Sequence, residues 1–138
     1  MKNTKAIQRT VAMALISLSI LLFTGCAGNV DPSHADKFAG TWNGSYGCEG
    51  TPLVADQMII AKQPDGGGFA ITIHATTVNP DTVTGQLASE NTIKITEQSM
   101  GGGPGKAKIT FQNDGTLNFV QSGGGLTCTG SGYTKVQP

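Results

Sequence analysis

Few side chains in this 138-residue sequence could do chemistry, and their spacing limits what each can do. There are three cysteines, Cys26, Cys48 and Cys128, and two histidines, His34 and His74. A zinc ion normally takes four ligands, and neither histidine is near Cys48 or Cys128 in sequence, so no metal site is expected. The run Gly101-Gly102-Gly103-Pro104-Gly105-Lys106 has the glycines of a phosphate loop. However, Met100 stands where that loop needs its first glycine, and Ala107 where a hydroxyl must hold Mg²⁺, so a hairpin loop is expected instead. The acids Asp56, Asp65, Asp81, Glu90, Glu97 and Asp114 fall mostly at turns or strand ends, where carboxylates stay solvated. Acid–base or nucleophilic catalysis needs a histidine or a pair of carboxylates converging in a cleft. His34 lies in a turn-prone stretch, and His74 alternates out of phase with Phe69, Ile71 and Ile73, which assigns it to a polar outer face. No catalytic residue or cofactor is expected, and an enzyme is not the reading; a His74 buried beside an acid would reopen it.

Cys26 is the exception. Lys2, Lys5 and Arg9 precede an uncharged stretch from Val11 to Phe23, the n-region and h-region of a secretory signal. That stretch is 13 residues long, whereas a bilayer-spanning helix needs about 20. Phe23-Thr24-Gly25-Cys26 follows at once and resembles the lipobox of bacterial lipoproteins, in which a cysteine is lipidated and becomes the new N-terminus. The resemblance implies a signal peptide over residues 1–25 and an acyl anchor on Cys26. Cleavage after Ala27 also satisfies the small-x-small rule, but it leaves a cysteine at the end of the h-region without a use. By the same resemblance, Ala27 after the cysteine points to the outer membrane of a bacterial envelope. Residues 26–37 then read as the lipidated cysteine and a flexible tether, and residues 38–138 as one domain.

Removing the leader takes three of nine bases and none of nine acids, leaving a net charge of −3. The remaining bases are Lys37, Lys62, Lys94, Lys106, Lys108 and Lys135, scattered along the chain with no arginine among them. That pattern argues against nucleic acid and against a polybasic membrane patch. Cys48 and Cys128 remain as an even pair in an oxidising compartment, which reads as a disulfide.

Positioning falls to β-strands, because period-2 alternation recurs and no convincing 3.6-residue apolar period is present. Starts near residues 40, 55, 68, 81, 91, 105, 115 and 125 predict about eight short strands in an all-β, antiparallel up-and-down barrel. Leu87 opposite Ile93 and Phe111 opposite Leu117 require the loops Ser89-Glu90-Asn91 and Asn113-Asp114-Gly115, with Asn91 and Gly115 left-handed. The strand around Met58-Ile59-Ile60 has no clear facing. A Cys48–Cys128 bond between first and last strands would close the barrel. It would set Tyr46 against Gly130, Gly44 against Gly132 and Trp42 against Thr134. The predicted inner face runs from Trp42 and Tyr46 to Phe119 and Leu126, with no ionisable group except a tyrosine.

Gly40-Thr41-Trp42 resembles the G-x-W that opens lipocalins, and avidins begin similarly. The resemblance implies a barrel that holds a small apolar ligand, with Lys135 standing in for the arginine that packs on the lipocalin tryptophan. A pocket lined by Trp42, Tyr46, Phe111 and Phe119 is expected, near one end where Gly44, Gly130 and Gly132 leave space. Tyr46-Gly47-Cys48-Glu49-Gly50 with the late Cys128 is similar to periplasmic lysozyme-inhibitor lipoproteins, which implies a filled barrel that binds a protein. Expected partners are the membrane, through the N-terminal lipid, and either a small apolar ligand or an envelope protein.

Overall fold

A computed structural model describes residues 30–64 and 68–138. Cys26 and the leader lie outside the described residues. Eight antiparallel strands, β1 (Gly40–Cys48), β2 (Val54–Lys62), β3 (Gly68–Ile73), β4 (Asp81–Ser89), β5 (Thr92–Met100), β6 (Gly103–Phe111), β7 (Leu117–Gly123) and β8 (Leu126–Lys135), pair in sequence order. β8 returns to β1, so the sheet is a closed barrel. Closure leaves no strand edge free to recruit another chain.

Alternation decides which side chains go in. Phe69, Ile71 and Ile73 of β3, Ile93 and Ile95 of β5, Ile109 of β6, and Leu117 and Phe119 of β7 are buried. Each large apolar side chain withdrawn from water stabilises the fold by about 1.5–3 kcal/mol. β2 also has a definite facing: Asp56, Met58 and Ile60 point inward, while Ile59 is exposed. The hairpin registers Leu87↔Ile93 and Phe111↔Leu117 are those the alternation predicts. Gly115 is left-handed, at φ 84°, as a tight hairpin requires. Asn91 is not: the β4–β5 turn instead shifts register between Leu87 and Ser89, pairing Ser89 with Thr92, and this bulge does the work assigned to Asn91. Leu126, expected inside, begins β8 at the rim and is 57% exposed.

The stretch expected to be a flexible tether is structured where it is described. Asp31 caps a 3₁₀ turn over Pro32–Ala35 by accepting a hydrogen bond from the Ser33 amide at 2.9 Å. The turn lays Ala35 and Phe38 over one end of the barrel, both buried. Phe38 meets Phe69 and Phe111 edge to face, and its carbonyl accepts the Trp42 indole proton at 2.8 Å. Lys37 reaches Asn91 and Lys62 pairs with Asp36, which holds the turn against the β4–β5 turn and the end of β2. Its apolar side chains explain the order: exposing Phe38 would forfeit a stabilisation of about 2 kcal/mol. Among the described residues every core residue lies between Ala35 and Tyr133 and the sheet closes on itself, so residues 30–138 carry the closed core that a self-contained folding unit needs.

Candidate functional site

Where β1 meets β8, the pairing begins as expected and then departs. Cys48 faces Cys128 and is bonded to it, and Tyr46 faces Gly130. The register then slips between Asn43 and Ser45, so Trp42 faces Lys135 rather than Thr134. Gly132 sits in this irregularity at φ 62°, a conformation disfavoured for residues with a Cβ. One extra residue inverts the alternation of everything after it. Tyr133 therefore points inward and is fully buried.

This inversion removes the pocket expected beside the glycines. A Cβ on Gly44 would meet the Tyr133 ring at 2.5 Å, and one on Gly130 would meet it at 2.6 Å, so the ring occupies the space these glycines open. It also divides the four residues expected to line one cavity. Trp42 and Phe111 pack together at the end closed by Phe38, with ring centroids 6.3 Å apart. Tyr46 and Phe119 lie toward the opposite end, 5.9 Å apart. Lys135 does take the expected place over Trp42, its ammonium 5.6 Å from the ring centroid.

The Tyr133 hydroxyl donates to Asp56 Oδ2 at 2.5 Å, and Asp56 Oδ1 lies 2.8 Å from His74 Nδ1. Asp56 is 6% exposed. The inner face therefore does contain an acid, contrary to the sequence reading, because β2 turns Asp56 inward with Met58 and Ile60. His74 is not on the outer face either. Strand β3 ends at Ile73, and His74 adopts φ 56°, the only positive φ outside glycine among the described residues, so its ring leaves the alternation. The ring lies 4.4 Å from that of Tyr46, whose hydroxyl donates to Gln121 Oε1 at 3.1 Å. Two hydrogen-bonded groups, Tyr133–Asp56–His74 and Tyr46–Gln121, thus form a chain that meets where the His74 ring packs on Tyr46.

Burial raises the pKa of Tyr133, and its hydrogen bond to the Asp56 carboxylate raises it further. Tyr46 is also shifted upward, first by burial and then by the charges of Asp56 and Asp81. Both phenols are thereby held protonated, as donors. An aspartate orienting a histidine is one half of a hydrolytic site. Among the described residues no hydroxyl or thiol hydrogen-bonds to the His74 ring (the Thr77 hydroxyl donates to its backbone carbonyl), and Cys48 Sγ, 3.7 Å from the Tyr46 hydroxyl, is committed to the disulfide.

Above this chain the barrel has an open mouth. A recess of about 290 Å³ is bordered by Tyr46, Met100, Gln121, Leu126, the disulfide and the glycines of the β5–β6 and β7–β8 turns. The glycine run expected to form a hairpin loop is the first of these turns: Gly101 and Gly102 have φ 61° and 83°, and the Gly101 amide donates to Asp81 at 2.6 Å. A carboxylate already holding that amide makes the turn a poor anion cradle. Of the four residues expected to bind a ligand, only Tyr46 lines the recess.

Sequence reasoning missed His74 and Tyr133 because each depends on an irregularity that alternation does not reveal, and Asp56 because the apolar run Met58-Ile59-Ile60 hides the facing of its strand. Three histidine, cysteine or carboxylate side chains grouped for a metal ion do not occur among the described residues. No described helix is long and apolar enough to cross a membrane.

No protein-family model matches the chain, and no curated protein does. Among solved structures it is similar to a redesigned beta barrel, at 18% identity and a TM-score of 0.54, over 76% of this chain and 96% of that one. That likeness is one of fold: the chain is a small, closed, eight-stranded antiparallel β-barrel with one disulfide.

Proposed function

We propose that this chain is an envelope lipoprotein, anchored through Cys26, whose barrel acts as a protein-interaction module rather than as a carrier with a ligand inside. The observation that carries this reading is the Tyr133 ring filling the space between Gly44 and Gly130, where the ligand had been expected. The chain enters at the end closed by Phe38, so a lipid on Cys26 would leave the opposite, loop-bearing end facing away from the membrane. That end exposes Leu53, Val78 and Leu126, at 58%, 96% and 57%. Exposed apolar side chains gathered at one end suit contact with a protein.

A photo-crosslinking residue placed at Val78 or Leu126 should trap the same envelope protein, and one at Thr72 on the barrel wall should not. Failure of both loop positions to crosslink any protein overturns the interaction reading.

The mouth recess favours a second reading, in which a small apolar ligand sits above Tyr46. A lipophilic dye bound there should be released by Leu126→Lys; a dye bound equally by both forms would place it elsewhere.

A further inference from the structure

The β5–β6 hairpin brings three of the six lysines beyond the leader onto one outer face. Lys94 of β5 is directly opposite Lys108 of β6, and Lys106 is two residues further along the same outer face. Like charges placed directly opposite on a sheet are destabilising. Among the described residues none of these three takes part in an ion pair. They border a groove of about 420 Å³ together with Ala88, Val120 and Ser122, and no acid lines it. The face therefore combines ammonium groups with apolar surface, in a chain whose net charge without the leader is −3.

Its position is also informative. Lys37 reaches Asn91 in the turn leading into β5, near Lys94, so this face continues into the end where the chain enters. Lys62 and Lys135 lie at that same end, beside Asp36 and over Trp42. By contrast, the loops at the mouth contain Glu49 and no lysine. The end where the chain enters also carries Asp31, Asp36, Glu90 and Asp114, so it is not basic as a whole; the lysines without an acid beside them are those of the groove, which runs from that end along the wall.

We propose that the face formed by Lys94, Lys106 and Lys108 binds the phosphate headgroups of anionic phospholipid. The ammonium groups meet the phosphates, and Ala88 and Val120 meet the apolar part of the interface. The orientation of this face toward a membrane rests on the proposed anchor at Cys26, but the contact between lysine and phosphate does not, and it can be tested on a barrel that carries no lipid.

The test uses residues 30–138, which lack both Cys26 and the leader, in sedimentation with vesicles of phosphatidylcholine alone or mixed with phosphatidylglycerol. Binding is expected to the mixed vesicles only, and to fall as salt screens the charges. Replacing Lys94, Lys106 and Lys108 together by glutamine should weaken it on the order of 100-fold. The same variant should melt no lower than the parent, since it relieves the Lys94–Lys108 repulsion. Equal binding to both vesicle types, no binding to either, or full binding by the folded triple variant would each overturn the proposal. A defect in Cys26 lipidation would leave all these results unchanged.

Discussion

Tyr133 donates its phenolic proton to Asp56 across 77 residues of sequence, joining the last strand to the second through the centre of the barrel. This bond makes the interior of the molecule both filled and polar. It also makes stability sensitive to the protonation of a tyrosine.

Because the folded pKa of Tyr133 is raised above the unfolded value of 10.0, its contribution is fully present below pH 10 and is lost as pH rises beyond it. Urea midpoints should therefore be flat toward neutral pH and fall on the alkaline side. Tyr133→Phe should lower stability by about 1.5–3 kcal/mol at neutral pH, since a buried carboxylate loses a donor. It should also make the alkaline fall shallower; an unchanged pH profile would show that this phenol does not control it.

Gly44 and Gly132 should fail for different reasons. Gly44→Ala drives a methyl group into the Tyr133 ring, and overpacking of this kind costs about 1–3 kcal/mol. Tyr133→Leu in the same chain should recover part of that loss. Gly132 has open space around its Cβ position but a φ of 62°, so Gly132→Ala should cost about 1–2 kcal/mol that no change at Tyr133 restores. Denaturant melts of the two single and two double variants separate the cases.

Reducing the Cys48–Cys128 bond opens a covalent loop with a sequence separation of 80. On the chain-entropy model the loss is about 4 kcal/mol. The β1–β8 seam should then be the first to exchange amide hydrogens, ahead of β5–β6. Uniform exchange around the barrel would assign the disulfide no special hold on the seam.

Lipidation at Cys26 is tested with a palmitate analogue in cells. The parent chain should lose its leader and take up label, whereas Cys26→Ser should keep the leader and take up none. A parent that is cut but unlabelled would favour ordinary cleavage after Ala27.

Much of the architecture is legible along the chain. Alternation at Phe69-Ile71-Ile73 and Ile93-Ile95 reveals strands because a strand has only two faces and one of them is buried. Short turns transmit that phase, which is why Leu87↔Ile93 and Phe111↔Leu117 follow from it, whereas Cys48↔Cys128 follows from the even cysteine count and barrel closure. The candidate site does not follow in this way. A bulge at Gly132 and a left-handed His74 each break the phase locally, and their consequences appear only when distant strands meet.

By itself, then, the sequence determined an all-β chain, its strand count, the registers of two hairpins and the pairing of Cys48 with Cys128, because these depend on local period and on counting. The tertiary structure alone decided that Tyr133 fills the barrel and that Asp56 and His74 meet inside it. Those outcomes depend on a single extra residue and on cross-strand neighbours far apart in the chain, and a two-residue period carries no information about either.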